Sequence, residues 1–494
     1  MTDILTADPD KEVLGVQNIG VVSIPDFSDG EAEYYVGAGS SGYAMYSNTV
    51  HPTEAWLFLK HIVSVEGQQA FSQTGNCVPV LTSLLNDEIK KSERCANILA
   101  YVRQNWKKTL RQPILKTEQA DIILPYPFVS PCMDGRPFVD IYYWDTYFIN
   151  LMLIQLGEYD YARGNLEDIA YLIGKYGYMP NYTKTDGFLR SQPPLFSKGV
   201  EDFVSITNDG DFMKRMLPFM EKEYTFWQTE RMTPIGLNRY GWNADDAELE
   251  TFARNIRQRL HLNIEDCTAE KGGHLFAETE SGWDFSPRFG LRCADFCPID
   301  LNSILYETEN ILAVLCEKCG EEKKALQYSE TAKQRKIRMQ RYMCGEDGLY
   351  YDYNFKESKC TDIRSCASFL PYQSGISSDQ KGCERLFHAL DATYGINVCE
   401  KRENSGSFQW DAPNMWPPMI YFAYEALQKT GLFEESKALR KKFTDTVEHT
   451  FAKYGRLYEK YNTQTGSVGA DCEYQTPEML GWTAGVYLYL KNQD

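Results

Sequence analysis

LNSILYETENILAVLCEKCGEEKKALQYSETAKQRKIRMQRY, residues 301–342, is the stretch of sequence that determines the fold. Its first half spaces apolar side chains three or four residues apart, as on one face of an α-helix: Leu301, Ile304, Leu305, Ile311, Leu312 and Leu315. Gly320 then provides a residue that readily adopts the left-handed conformation that ends many helices. Because residues 321–342 form a second amphipathic pattern, the stretch predicts a helical hairpin.

The same arrangement of helix, glycine and helix occurs around Gly157 and Gly431. The hairpins at Gly320 and Gly431 are each followed by a similar phrase, LYYDYN at 349–354 and LYEKYN at 457–462. Repeated helical hairpins stack into closed or curved arrays. The repeats therefore predict a mainly α fold, an (α/α)6 toroid in which two rings of helices pack together and leave a central cavity.

One position of the repeat differs in chemistry between its two copies. Tyr351 in the first copy corresponds to Glu459 in the second. A carboxyl group has thus replaced a phenol at a position where the fold accepts either. Two carboxyl groups across an aromatic-lined cavity are the minimum machinery for glycoside hydrolysis, which makes Glu459 a candidate catalytic residue.

The composition excludes some classes of partner. The chain has 69 Asp and Glu against 51 Lys and Arg, a formal charge of −18, which argues against nucleic acid as the main partner. Aromatic residues make up 14% of the chain. Their rings stack on sugar faces but also fill cores, so composition alone leaves carbohydrate binding open.

Membrane and metal sites are also disfavoured. The sequence contains no run of about 18 apolar residues, and its first ten residues are acidic where a signal peptide would be basic. Cys316 and Cys319 form a C-x-x-C pair, but no second pair completes a zinc site. We therefore predict a cytoplasmic protein with free thiols and no metal, in which these two cysteines are helix-end thiols.

Five phrases carry a resemblance to a known family. They are YYWDTY at 142–147, LRSQPP at 189–194, ESGWDFS at 280–286, QWDAPNMWPP at 409–418 and EKY at 459–461. Taken alone, the proline-rich phrase could be a simple helix start. Together and in this order, the phrases resemble the trehalases of glycoside hydrolase family 37 over about residues 131–486. The resemblance implies an (α/α)6 toroid, no cofactor, and hydrolysis of an α-glucosidic bond with inversion.

The resemblance assigns Asp284 as the general acid and Glu459 as the general base. Trp283 and Phe285 flank Asp284, and partial desolvation would keep its carboxyl group protonated, as a proton donor requires. The structural alternatives are a capping role for Asp284 and a solvated position at a strand end for Glu459. For an inverting enzyme we expect the two carboxyl groups about 6.5–9.5 Å apart.

Residues that hold the sugar are also implied by the resemblance. They are Trp144, Asp145, Asn181, Arg190, Ser191, Gln192, Gly282 and Glu473, and we expect Arg136, Trp410 and Asp411 to contribute to the same site. Carboxylate and guanidinium groups suit bidentate recognition of neighbouring hydroxyls, and tryptophan offers a stacking face. The alternative for the polar members is a buried network of ion pairs. The expected ligand is a small carbohydrate, with no nucleic acid or membrane partner.

Departures from the family pattern leave the substrate open. The family carries arginine directly before a phenylalanine where this chain has Pro137 and Phe138, and its Arg-Pro-Glu phrase is missing, with Glu248 or Glu250 nearest. Loss of a charged donor leaves buried hydroxyls unpaired. The candidates are trehalose, another small α-glucoside such as a glucosylglycerate, and a non-catalytic sugar-binding protein. The sequence indicates no oligomeric state.

The N-terminal 95 residues follow a different pattern. Strand-like stretches at 21–24 and 43–46 precede helical patterns at 52–64 and 66–71, which predicts a small α+β segment. Residues 40–80, within 30–85, resemble part of the C-terminal lobe of bacterial extracellular sugar-binding proteins. We therefore predict a partial segment of that kind at 1–95, followed by a glycoside hydrolase domain at 96–494.

Overall fold

A computed structural model describes residues 52–62, 64, 67–68, 82–115 and 122–493. The chain divides into two units, Met1–Ala96 and Asn97–Asp494. The first unit contains helix α1 (Pro52–Ile62), where the sequence predicts a helix. The predicted strands at 21–24 and 43–46, and much of the segment that resembles sugar-binding proteins, lie outside the described residues.

The remaining helices are α2 (Thr82–Asn105), α3 (Tyr143–Gln155), α4 (Tyr159–Tyr176), α5 (Phe196–Thr207), α6 (Gly210–Glu230), α7 (Asp246–Ile256), α8 (Ala269–Glu280), α9 (Ile299–Lys318), α10 (Glu322–Tyr342), α11 (Leu370–Gln373), α12 (Gln380–Leu390), α13 (Pro417–Lys429), α14 (Phe433–Tyr454) and α15 (Gly481–Lys491). No helix among the described residues is long and apolar enough to cross a membrane.

Six of these helices form a closed inner ring. Helices α3, α5, α9, α11, α13 and α15 each contact the next, and α15 returns to contact α3. Helix α3 is buried along nearly its whole length, whereas α10 buries only Ala332, Arg335 and Met339. The helices that follow inner helices therefore form an outer layer, and the fold is the predicted (α/α)6 toroid. Helices α7 and α8 form an insertion between α6 and α9 in the chain, and they pack against each other.

The three predicted hairpins are all present. Gly157 separates α3 from α4, Gly320 separates α9 from α10, and Gly431 separates α13 from α14. Each glycine has a φ between 76° and 78°, in the left-handed region that favours glycine. The glycines that the sequence predicts to end helices therefore lie in the turns between paired helices of the toroid.

Short strands connect the helices. They are β1 (Leu110–Arg111), β2 (Phe128–Val129), β3 (Phe296–Cys297), β4 (Tyr353–Asn354), β5 (Lys359–Cys360), β6 (Asp391–Ala392), β7 (Gly395–Ile396), β8 (Asn414–Met415), β9 (Tyr461–Asn462) and β10 (Ser467–Val468). Two antiparallel sheets have the orders β3-β4-β5 and β8-β9-β10, and each centres on one copy of the repeated phrase.

The two copies of the repeat share their local geometry. Phe296 and Cys297 pair with Asn354 and Tyr353, while Asn414 and Met415 pair with Asn462 and Tyr461. The Oδ1 atom of each central-strand asparagine accepts backbone N–H groups two and three residues further along the chain. The phrase is therefore a true structural repeat.

Closure of the ring depends on a close approach between α15 and α3. A side chain at Gly485 would place its Cβ 1.9 Å from the carbonyl oxygen of Phe148, so this position requires glycine. We predict that Gly485→Ala lowers the free energy of unfolding by about 1–3 kcal/mol, because two backbones must separate. Urea unfolding measures this change.

Gly210→Ala is the control for that substitution, because nothing lies within 4 Å of the added methyl group. Equal stability of the two variants would contradict the tight closure.

Candidate active site

A cavity of about 540 Å³ opens near the N-terminal ends of several inner helices, within the usual size range of ligand pockets. Its lining is rich in aromatic and ionisable side chains. The lining residues are Pro137, Phe138, Tyr142, Trp144, Asp145, Asn181, Tyr182, Arg190, Gln192, Arg259, Thr279, Gly282, Asp284, Trp410, Trp416, Glu459, Tyr474, Gln475, Pro477, Met479 and Trp482. Most residues that the sequence assigns to the site therefore meet in one place.

The start of α3 and the segment before α5 are joined by hydrogen bonds. The backbone N–H of Trp144 donates to Oε1 of Gln192 at 3.1 Å, which satisfies a free donor in the first helical turn. The Asn181 amide donates to the carbonyl of Ser191 at 2.8 Å. These contacts present Trp144, Gln192 and Asn181 to the same cavity.

Four tryptophans line one side of the site, and a fifth, Trp283, packs against them. Trp410 stacks on Trp416 with ring centroids 3.8 Å apart and on Trp283 at 5.1 Å. Trp144 and Trp482 contact the same group of rings. Such a wall of fixed ring faces and edges suits a sugar.

Gly282 is required beside this wall. Its φ is +77°, and a Cβ there would lie 2.9 Å from the ring of Trp144. The glycine of the SGWDFS phrase therefore allows the segment to pass close to the aromatic wall and bring Asp284 to the cavity.

The segment that carries Asp284 is held on both sides. Buried Glu278 accepts hydrogen bonds from the backbone N–H of Ser286 at 2.9 Å and from its hydroxyl at 3.1 Å. The carbonyl of Phe285 accepts the N–H of Trp410 at 3.0 Å. The Asp284 carboxyl thereby has a fixed position in the cavity wall.

Desolvation raises the pKa of Asp284, as predicted for a proton donor, whereas Arg259 and Arg190 act to lower it. The Asp284 side chain keeps 38% of its surface accessible because it faces the open cavity. The Asp284 carboxyl group is therefore partly desolvated by the protein and still accessible to a ligand in the cavity.

Glu459 lies in a different environment, next to a buried cation. Its Oε2 atom is 2.8 Å from Nζ of Lys460, and the hydroxyl of Tyr474 lies 3.1 and 3.0 Å from its two carboxylate oxygens. Burial raises the pKa of Glu459, and Lys460 opposes that rise. Because Lys460 is fully buried against the rings of Trp416 and Tyr474, this pair favours an ionised Glu459.

The first copy of the repeat has a tyrosine at the position that corresponds to Glu459. The hydroxyl of Tyr351, at the equivalent position, donates to Asp347 within its own hairpin at 2.7 Å. The same backbone position therefore supports a structural contact in one copy and a cavity carboxylate in the other.

A third carboxyl group belongs to the site. Asp145 lies in the first turn of α3, and burial, together with the nearby charges of Glu459 and Asp284, raises its pKa to about 8. Burial therefore favours the protonated form of Asp145, which can donate as well as accept a hydrogen bond.

Two residues expected in the site do not line the cavity. Arg136 pairs with Glu478 at 3.0 Å and keeps 44% of its side chain exposed, while Pro137 and Phe138 line the cavity instead. Asp411 accepts the backbone N–H groups of Gly406 and Ala412, so it supports the loop that carries Trp410. Direct contact of Arg136 and Asp411 with a substrate therefore stays a prediction that the cavity lining does not support.

Ser191 and Glu473 lie behind the cavity lining. The N–H of Ser191 donates to Oε1 of Glu280 at 2.8 Å, and Arg231 pairs with the same buried carboxylate at 2.9 Å. Glu473 accepts the N–H of Gln409 at 2.7 Å and pairs with Arg259. These residues position the lining rather than form it.

Several lining residues were not found from the sequence. Arg259, Tyr474, Trp416 and Trp482 all line the cavity, and Lys460 pairs with Glu459. Trp416 and Lys460 lie within two of the five phrases, whereas Trp482 lies outside them. Arg259 lies in a charged stretch with no distinguishing pattern, so nothing in the sequence pointed to it.

The acidic candidates near Arg259 have other roles. Glu248 forms a capping box with Asp245 at the start of α7, and Glu250 pairs with Arg254 on the surface of the same helix. Neither glutamate lines the cavity.

One group of possible metal ligands occurs among the described residues, formed by Glu221, Cys316 and Glu321. Lys324 places its ammonium group 3.1 Å from Glu221 and 2.7 Å from Glu321. Because Lys324 already pairs with both carboxylates, we assign no metal to this group. Cys319 is the C-cap of α9, as expected for a helix-end thiol.

Comparisons with known proteins point to one family. The family model described as Trehalase matches residues 71–493. A periplasmic trehalase of Xanthomonas axonopodis pv. citri (strain 306) is 31% identical over 415 residues, which cover 78% of this chain and 72% of the relative. A periplasmic trehalase of Escherichia coli O8 (strain IAI1) is 32% identical over 404 residues, covering 75% and 70%.

Solved structures share the architecture. Neutral trehalase Nth1 from Saccharomyces cerevisiae aligns with a TM-score of 0.63 and 23% identity over 79% of each chain. A family 63 mannosylglycerate hydrolase from Thermus thermophilus aligns with a TM-score of 0.55 and 15% identity over 81% of this chain and 99% of the hydrolase. At these identities the alignments show the fold alone.

The buried pair of Glu459 and Lys460 gives a stability prediction. Glu459→Gln leaves the buried Lys460 ammonium without its carboxylate, and breaking a buried pair from one side costs up to about 3–5 kcal/mol. Glu459→Gln with Lys460→Met removes both charges and should recover part of the loss. Urea unfolding of the single and double variants measures the coupling.

Glu250→Gln, which breaks an exposed pair with Arg254, is the control and should change stability little. Additive effects of the Glu459 and Lys460 substitutions would show that the two groups do not interact.

Proposed function

Because the chain belongs to the trehalase family, we propose that Asp284 and Glu459 are the general acid and general base of its glycosidase reaction. The chain is a trehalase-like glycoside hydrolase. One observation carries the assignment of residues: both carboxyl groups line the same tryptophan-walled cavity, and each has different surroundings. Asp284 has accessible surface toward the cavity, whereas Glu459 is paired with a buried cation.

Asp284 has the properties of the acid. Desolvation favours its protonated form, and its accessible carboxyl can reach a glycosidic oxygen in the cavity. Its proton passes to that oxygen as the bond between the oxygen and C1 breaks. The leaving group therefore departs as a neutral alcohol and not as a high-energy alkoxide.

Glu459 has the properties of the base. Lys460 and the Tyr474 hydroxyl favour its ionised form and hold both carboxylate oxygens in place. As the base, Glu459 takes a proton from a water molecule, whose oxygen attacks C1 from the face opposite the leaving group. Hydrolysis of an α-glucoside by this route releases β-glucose.

The other lining residues suit a small carbohydrate. Arg190 lines the cavity, and its guanidinium group carries N–H donors that suit sugar hydroxyls. Asn181, Gln192 and Asp145 add amide and carboxyl groups, and the tryptophan wall supplies ring faces. We propose that these side chains bind the glucose unit.

Trehalose is the first candidate substrate, because the curated relatives are named trehalases. A different small α-glucoside, such as a glucosylglycerate, is the second. The observation that favours it is the apolar pair Pro137 and Phe138 in the cavity wall, where the family pattern has an arginine before the phenylalanine. Glucose release from a panel of α-glucosides, with trehalose included, distinguishes the two.

We also propose that the protein works in a reducing compartment. The cysteines of the described residues are free thiols, including several that are buried. The relatives are named periplasmic trehalases, so the periplasm is the alternative. Cell fractionation with immunodetection tests the proposal, which predicts the protein in the cytoplasmic fraction.

Amide substitutions test the catalytic assignment. Asp284→Asn and Glu459→Gln keep the shape of the side chains but remove proton transfer, so kcat should fall by about 10² to 10⁴. Steady-state kinetics on the fastest substrate of the panel measure the loss. Glu250→Gln, on the surface of α7, is the matched control and should keep full activity.

Full activity of Asp284→Asn or of Glu459→Gln would refute the assignment. The initial product gives an independent result, since proton NMR should show β-glucose first. Appearance of α-glucose as the first product would contradict inversion.

Lys460 should control the acidic side of the pH profile. The base is active when ionised, and Lys460 opposes the rise that burial causes in the pKa of Glu459. Lys460→Met should raise that pKa further, so the acidic limb of kcat/KM should move to higher pH. An unchanged acidic limb in a folded variant would show that Lys460 does not tune the base.

A further inference from the structure

Arg259 brings together two loops that lie far apart in the sequence. It lies three residues beyond the end of α7, and its guanidinium lines the active-site cavity. Its Nη2 atom is 3.3 Å from Oδ2 of Asp284 and also donates to the Asp284 carbonyl, while its Nε donates to Oε2 of Glu473. One side chain therefore bridges the segment of Asp284 and the segment of Glu473.

The neighbours of Arg259 hold it in this position. Its guanidinium lies over the rings of Phe285, at 5.0 Å, and Tyr474, at 5.4 Å. Glu473, at the other end of the bridge, also accepts the backbone N–H of Gln409 at 2.7 Å. Because the Glu473 side chain is almost fully buried, the bridge is anchored in protein at one end and reaches the cavity at the other.

We propose that Arg259 is the positioning residue of the general acid: it orients the Asp284 carboxyl and stabilises the carboxylate that remains after proton transfer. This inference rests on the proposed role of Asp284. It assigns a function to a side chain outside the five phrases that carry the family resemblance.

The reaction step shows why a cation is useful there. The Asp284 proton moves to the glycosidic oxygen, which also receives the electron pair of the breaking bond to C1. Asp284 then carries a negative charge, and a guanidinium in contact with it lowers the free energy of that state. Glu459 takes the proton of the attacking water, so charge and protons balance over the step.

Other charged groups also lie near Asp284. Arg190 lines the cavity, but its guanidinium lies over the rings of Tyr182, Phe252 and Phe276. Asp145, Glu459, Glu473 and Tyr474 contribute carboxyl or phenol groups, which raise the pKa of a neighbouring acid when they ionise. Arg259 is the cation that the structure pairs with Asp284.

Arg259→Gln and Arg259→Lys test the proposal through the pH profile of kcat/KM. The acid is active when protonated, so the basic limb follows the pKa of Asp284. Burial raises the pKa of Asp284, and Arg259 opposes that rise. In Arg259→Gln this pKa should therefore be higher, and the basic limb should move to higher pH by about one to three pH units. Arg259→Lys keeps the charge and should keep the limb near its wild-type position.

Glu473→Gln should shift the same limb in the opposite direction. Removal of the Glu473 charge leaves the guanidinium to interact with Asp284 alone, so the pKa of Asp284 falls and the basic limb moves to lower pH. A purely structural defect would not give opposite shifts in these two variants.

A second readout uses the leaving group. Arg259→Gln should lose roughly 10- to 100-fold in kcat on the fastest α-glucoside of the panel. α-Glucosyl fluoride, whose leaving group needs little protonation, should show a much smaller loss. Arg254→Gln, on the exposed face of α7, is the matched control and should behave as wild type on both substrates.

Wild-type basic limbs in Arg259→Gln and Glu473→Gln, or equal losses on both substrates, would overturn the proposal. Circular dichroism shows whether Arg259→Gln folds. If it does not, the pH of the basic limb in Arg259→Lys and in Glu473→Gln still tests the proposal. Failure of the proposed function is distinguishable, because it would appear as full activity in Asp284→Asn whatever the Arg259 variants do.

Discussion

Asp145, Asp284 and Glu459 share one cavity, and burial favours the protonated form of all three carboxyl groups. Different cations make two of these groups unequal. Lys460 lies fully buried against Glu459 and favours its ionised form. Arg259 contacts Asp284 from a more accessible position, where it can stabilise the charge that follows proton donation. In the proposed mechanism, the acid and the base thus differ in the cation that contacts each carboxyl group.

The scaffold keeps these groups in place through close backbone approaches and ring stacking. Helix α15 meets α3 at Gly485, so the ring closes directly beside the helix that carries Asp145. Gly282 allows the Asp284 segment to approach Trp144, and Trp410 stacks between the rings of Trp283 and Trp416. A rigid wall of this kind suits a site in which two carboxyl groups must act on one bond.

Helical periodicity and glycine stops predicted the toroid because both depend on neighbours within about four residues. The repeat also made Glu459 a candidate, since its difference from Tyr351 is visible in the chain itself. Arg259 could not be predicted, because its partners Asp284 and Glu473 are brought to it only by the folded chain. The surroundings of Arg136 could not be predicted for a related reason: the next two residues line the cavity, and its own side chain pairs with Glu478. Long-range pairing is a property of the tertiary structure that local patterns do not contain.

The most direct test of the proposed base is the configuration of the product that azide forms with Glu459→Ala. Azide is an anionic nucleophile that needs no general base, so it should restore turnover of α-glucosyl fluoride when the base is missing. If Glu459 activates water on the face opposite the leaving group, the product is β-glucosyl azide. Formation of α-glucosyl azide, or turnover that azide does not increase, would contradict the account.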